Sequence, residues 1–164
     1  MENELYWQDV LLWSESQAEL LRRLAQGERM EGVDWHHVIE EVEDVGRSEW
    51  RSVEILLRHA MVHLLKSEGW PNARPREHWR SEVFGFLADA AERFAPSMRQ
   101  RIDLERLYQL ALKQARGTTV DDQPPRPLPD QCPFTLEALL AGDRDALEGQ
   151  LAQVGHVQVR QTPP

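Results

Sequence analysis

The sequence predicts an all-α protein: an antiparallel four-helix-type bundle with a short fifth helix and a C-terminal tail. Two observations carry that expectation. Apolar residues recur three and four positions apart over most of the chain, the spacing that gives a helix one buried face. Glycines and prolines at Gly27, Gly69, Pro71, Pro75 and Gly117 cut the chain into pieces of helical length. The longest piece, Asp34 to Lys66, is rich in helix formers and holds most of the residues able to do chemistry.

The first helix is expected from about Glu4 to Gln26, with Asn3 as N-cap and Gly27 as stop. Tyr6, Val10, Trp13, Leu20, Leu21 and Leu24 form its stripe, widened by Trp7 and Leu11 and interrupted at Gln17. Asp34 caps the central helix, whose stripe runs Val38, Val42, Val45, Val53, Leu56, Ala60, Leu64. Gly46 lies inside it, at a helix-propensity cost of roughly 1 kcal/mol against Ala. A kink there, or a neighbouring helix too close for a side chain, would account for it; a continuous helix is the favoured reading. The third helix, Arg76 to Phe94, turns Trp79, Val83, Phe86, Leu87, Ala90 and Phe94 inward. A fourth is expected to start at Pro96, where a missing N–H is harmless, and to run to Arg116.

Val120 to Pro133 holds five prolines and reads as an extended crossing segment. Thr135 then caps a short helix, Leu136 to Ala141, stopped by Gly142. Leu147, Leu151 and Val154 hint at one more short helix, and Val157 to Pro164 reads as a tail. The expected organisation is one helical domain over residues 1–142 and a weakly structured tail over 143–164.

Composition narrows the function classes. The 164 residues, 41% hydrophobic, suffice for a domain with a real core. One cysteine, Cys132, allows no internal disulfide and suggests a reducing compartment. No signal peptide or membrane-spanning apolar run is visible, so a soluble cytoplasmic protein is expected. Net charge is −9: residues 1–65 contribute −8, residues 66–116 +3 and the remainder −4. That acidity argues against a nucleic-acid binder, which needs a basic face to displace phosphate counterions.

Three motifs carry a family resemblance. LYWQDVLLW places Tyr6, Asp9 and Trp13 in a Y-x-x-D-x-x-x-W spacing; VIEEVEDVGRSEWRSVE is followed by HLLK; CPFTLEALL lies near the end. The sequence resembles the DUF29 family, bacterial helical proteins whose name records an unknown function. The likeness covers residues 5 to about 142. Ser67 departs from it, standing where an aromatic is expected, and so does Ala95, where a capping serine is common. The resemblance implies an all-helical, bundle-like domain and supplies no activity.

The sharpest chemical feature is His59 and His63, four apart on one helical face, a spacing at which two imidazoles bind one divalent metal. Glu41 cannot complete such a site along a straight helix, because about 27 Å of rise separates it from His59. A carboxylate from a neighbouring helix, from Asp9 or from a second chain would be required. His36 and His37 read as surface residues. A second feature is a buried polar cluster drawn from Asp9, Glu41, Glu49 and His63, with Glu49 near the apolar stripe beside Arg47 and Arg51. Cys132 reads as a small buried hydrophobe. No phosphate loop and no catalytic triad spacing is present.

The expected function is a non-enzymatic interaction module binding a protein partner or itself, with Trp50 and Trp70 as the aromatics least assigned to the core. The alternatives are a metal-dependent or acid/base enzyme around His63, and an acidic antitoxin-like or nucleic-acid-mimic protein. No cofactor is expected on the first reading; a divalent metal belongs to the second.

Overall fold

A computed structural model describes residues 2–159. Seven α-helices account for most of them: α1 Glu2–Gln8, α2 Val10–Ala25, α3 Trp35–Gly69, α4 Arg76–Arg93, α5 Leu104–Arg116, α6 Leu136–Ala141 and α7 Arg144–Val159. A single turn of 3₁₀ helix, Pro96–Met98, precedes α5. Among the described residues there is no strand, only an isolated bridge between Val120 and Gln123. The all-α class is as the sequence predicts. The chain groups into two compact units, one up to Ser48 and one from Glu49.

In the first unit the expected single N-terminal helix is two. Asp9 leaves helical geometry (φ −152°, ψ 85°) and its carboxylate accepts the Leu12 N–H at 3.0 Å, capping α2. Of the stripe expected on this helix Trp13 is buried, as is the interrupting Gln17, while Val10, Leu11 and Trp7 are exposed. Gln17 interrupts the apolar pattern for a reason: its Oε1 accepts the Asp34 N–H at 2.8 Å. That bond holds the entry to α3.

α3 is continuous over 35 residues, Gly46 included. A β-carbon at Gly46 would meet nothing within 4 Å, so no neighbouring helix explains that glycine. The front of the predicted stripe is not buried. Ile39, Val42 and Val45 are exposed, whereas Val53, Leu57, Ala60, Met61, Leu64 and Leu65 are fully enclosed.

The second unit contains the hydrophobic core. Those α3 residues meet Val83, Leu87 and Ala90 of α4, Leu107, Tyr108, Ala111 and Leu112 of α5, Leu139 of α6, and Leu147 and Leu151 of α7. Each fully buried leucine contributes roughly 1.5–3 kcal/mol relative to leaving it in water. The predicted fourth helix begins later than Pro96. After the 3₁₀ turn the chain breaks, and Asp103 caps α5 by accepting the Arg106 N–H at 3.0 Å.

Residues 144–159, placed in the expected tail with a short helix hinted at by Leu147, Leu151 and Val154, are helical throughout, and Leu147 and Leu151 complete the core. The remainder of the expected tail, 160–164, lies outside the described residues. Thr135 and Gly142 bound α6 as expected: Thr135 Oγ1 accepts the Ala138 N–H at 3.1 Å, and Gly142 takes the left-handed stop at φ 71°.

The proline-rich segment is tied down along its length. Asp121 and Asp122 adopt positive φ (50° and 59°) in the turn closed by the Val120–Gln123 bridge. Trp70 Nε1 donates to Gln123 O at 2.9 Å, Arg126 N–H to Gly69 O at 2.9 Å, and Tyr108 OH to Pro129 O at 2.7 Å. Trp70 is therefore buried.

Candidate functional site

The unit up to Ser48 has a centre of unlike chemistry to the hydrophobic core. Three side chains around it are aromatic and the rest are polar. The start of α3 supplies Asp34, His37 and Glu41; α1 supplies Tyr6 and Trp7; α2 supplies Trp13 and Gln17. His37 is 3% exposed, where the sequence suggests a surface residue. Its ring stacks on Tyr6 with centroids 3.9 Å apart, and Trp7 and Trp13 approach it edge-on at 5.9 and 6.2 Å. Its Nδ1 lies 2.7 Å from Asp34 Oδ2. A histidine placed three residues after a cap aspartate faces back toward it, which is how the sequence brings the two together.

Asp34 is the hub. Besides His37, it accepts from Trp13 Nε1 at 3.3 Å, while its own N–H donates to Gln17. Burial acts to raise its pKa, but the bonds from the His37 side chain, the His37 N–H and Trp13 outweigh it and hold the carboxyl below its ordinary value. Tyr6 OH donates to Glu41 Oε1 at 2.6 Å, and that bond pushes the phenol up to about 12, so Tyr6 stays a proton donor. On the outer side, exposed His36 and Glu40 approach each other at 3.7 Å. The arrangement can orient an imidazole, keep a carboxylate ionised and present the second imidazole nitrogen to a ligand.

The residues of the expected cluster, Asp9, Glu41, Glu49 and His63, each have surroundings of their own. Asp9 is an exposed helix cap. Glu41 binds Tyr6. Glu49 is exposed with Arg93 Nη1 at 3.9 Å, so it is no buried carboxylate. His63 lies against α4, its Nδ1 3.1 Å from Glu82 Oε2 but off the line a hydrogen bond needs; that buried nitrogen has no hydrogen-bond partner among the described residues. Burial lowers the His63 pKa despite Glu82. Glu82 also comes within 3.4 Å of His78 Nε2. The Phe86 ring packs 5.3 Å from His59 and 5.4 Å from His63. Among the described residues neither His59 nor His63 belongs to a group of three converging metal-donor side chains.

Cys132 is half-buried and burial pushes its thiol up to about 11, which keeps it protonated and unreactive. A small cavity of about 210 Å³ is lined by Arg51, Glu54, Arg58 and Arg106, where Arg106 bonds Glu54 at 2.6 Å.

The second feature of the first unit is apolar surface. Trp7 (77%), Val42 (69%), Val45 (67%) and Trp35 (55%) are exposed, with Leu11 and Ile39. Trp35, Ile39, Val42 and Val45 follow helical spacing and share one face of α3. The exposed tryptophans are thus Trp7 and Trp35. Trp70 is buried, and Trp50 packs against the core. No helix among the described residues is long and apolar enough to cross a membrane.

The comparisons with known proteins place the fold and leave the chemistry open. No curated protein matches the chain. A solved structure of an alpha-helical protein of unknown function from Rhodospirillum rubrum is 30% identical, covering 92% of this chain and 97% of its own, with a TM-score of 0.67. Residues 5–144 match the family described as Domain of unknown function DUF29. With that match spanning most of its length, the chain belongs to the DUF29 family.

Proposed function

We propose that the chain is a non-enzymatic interaction module whose front unit receives a basic, amphipathic helix of a protein partner. The carrying observation is the apolar face of α3, Trp35–Ile39–Val42–Val45, each of whose residues is more than half exposed on an amphipathic helix. Water-exposed apolar faces of this kind mark binding surfaces. Charge selects the occupant. Residues 1–48 carry twelve Asp/Glu against four Lys/Arg, a net −8; Glu40, Glu43 and Asp44 alternate in sequence with the apolar positions, with Glu43 and Asp44 paired to Arg47. A second copy would set two such surfaces together and repel. A helix with leucines on one face and lysines beside them satisfies both the apolar face and its acidic margin.

The test is a titration with two labelled 18-residue helical peptides, one Lys/Leu and one Glu/Leu, followed by fluorescence anisotropy. The Lys/Leu peptide binds at least tenfold more tightly, and the chain carrying both Val42→Asp and Val45→Asp loses at least tenfold in affinity. Equal binding of the two peptides, no effect of the double substitution, or sedimentation of the free chain as a dimer held through Val42 and Val45 would each overturn the proposal.

A further inference from the structure

Three metal-donor side chains meet in the first turn and a half of α3. One ligand atom from each of His36, His37 and Glu40 lies within 4.8 Å of the other two. Neighbouring residues on a helix point about 100° apart, yet the His36 and His37 rings come together with centroids 5.1 Å apart. Glu40, four residues after the first and three after the second, sits in the angle between them. Its carboxylate is already 3.7 Å from His36 Nε2.

His37 distinguishes this group from an accidental surface cluster. Its ring is clamped by Tyr6 stacking and by the edges of Trp7 and Trp13. Its Nδ1 faces Asp34 Oδ2 at 2.7 Å. An ionised acceptor on Nδ1 fixes the tautomer with the proton there, leaving the Nε2 lone pair for a ligand. Metal-ligating histidines are oriented in the same way by a carboxylate behind them. Asp34 is itself fixed, by Trp13 Nε1 on the carboxylate and by Gln17 on the backbone. The two other donors, His36 and Glu40, are exposed and free to close by side-chain rotation.

We propose that His36, His37 and Glu40 bind one first-row divalent cation of the Zn²⁺, Co²⁺ or Ni²⁺ class, with Asp34 as the residue that positions His37. Two imidazoles and a carboxylate suit these borderline ions better than Mg²⁺ or Ca²⁺, which take oxygen ligands. Three protein ligands leave a coordination position for water or for a donor group of another molecule.

The experiment titrates the full chain, free of any histidine tag, with Co²⁺ and reads visible ligand-field absorption, followed by Zn²⁺ competition. One equivalent binds with a Kd in the micromolar range or below and is displaced by Zn²⁺. His36→Ala and Glu40→Gln, both at exposed positions, weaken binding at least tenfold without shifting the melting temperature. Asp34→Asn weakens it about 10–100-fold, the usual effect of losing an outer-shell partner. His63→Ala leaves it unchanged. Binding only at millimolar Co²⁺, full affinity in the His36→Ala/Glu40→Gln double variant, or loss of the site in His63→Ala would overturn the assignment.

Discussion

Two glycines of α3 face opposite constraints. A β-carbon on Gly69 would stand 2.8 Å from Pro125 Cβ, part of a rigid ring, whereas one on Gly46 meets nothing. Gly46→Ala therefore gains the helix propensity a glycine lacks, raising stability by roughly 1 kcal/mol. Gly69→Ala forces the proline segment away and lowers stability by about 1–3 kcal/mol, the ordinary range for overpacking. Urea unfolding of both variants checks the pair; a stabilised Gly69→Ala would mean that the proline segment yields freely. At this scale the sequence is legible where one residue type answers one need, as at Thr135 and Gly142. His37 is not, because its burial depends on an aromatic clamp built from two other helices. A signal was present nonetheless: an aspartate three residues before a histidine, and a glutamine breaking an otherwise apolar stripe.

The helices themselves were legible wherever glycine or proline ends them, as for α3, α4 and α6. The misses fall where an aspartate cap sits inside a continuing apolar pattern. At Asp9 the backbone bonds on either side persist, Asp9 N–H to Leu5 O and Trp13 N–H to Asp9 O, so the break is one residue wide and the periodicity passes through it. Asp103 likewise hides between Ile102 and Leu104, both half-buried. Caps carry a measurable cost. Thr135→Ala and Asp103→Ala each lower stability by about 1 kcal/mol, in keeping with lost N-caps elsewhere. Thermal unfolding followed by circular dichroism reads both; replacement by Gly should cost only a few tenths. Leu147, Leu151 and Val154 hint at helix α7, but its full extent is not legible, because the core that Leu147 and Leu151 enter is made of residues distant in sequence.

For the whole molecule, acid acts in two steps. His63 is held below its ordinary pKa of 6.5 by burial, with Glu82 opposing and Lys66, His59 and His78 adding to the effect. Between 6.5 and that lowered value the unfolded chain binds a proton that the folded chain does not. Stability is therefore complete above pH 6.5 with respect to this group and declines as pH falls through that window. Asp34 acts further down: its carboxyl lies below 3.8, so its contribution is present above 3.8 and is lost as pH drops through the folded value. The measurement is the melting temperature at pH 7.5 and pH 5.5. The native chain loses more between them than His63→Gln does; an equal loss would remove His63 as the cause. The class of the fold was legible at this scale, since helical periodicity alone sets it. The division at Ser48 was not, because an unbroken helical pattern runs through it.

The bonds that fasten Gly69 and Trp70 to Gln123 and Arg126 also set a timetable. Some 56 residues separate Trp70 from Arg126 in the sequence. At roughly 5–20 residues per second of synthesis, about 3–11 s pass between making the end of α3 and making the strap that covers it. Throughout that interval the Gln123 carbonyl that the Trp70 indole bonds in the folded chain has not yet been made. The newborn chain thus has a defined period of exposure at one helix end, which closes only when the proline-rich segment arrives.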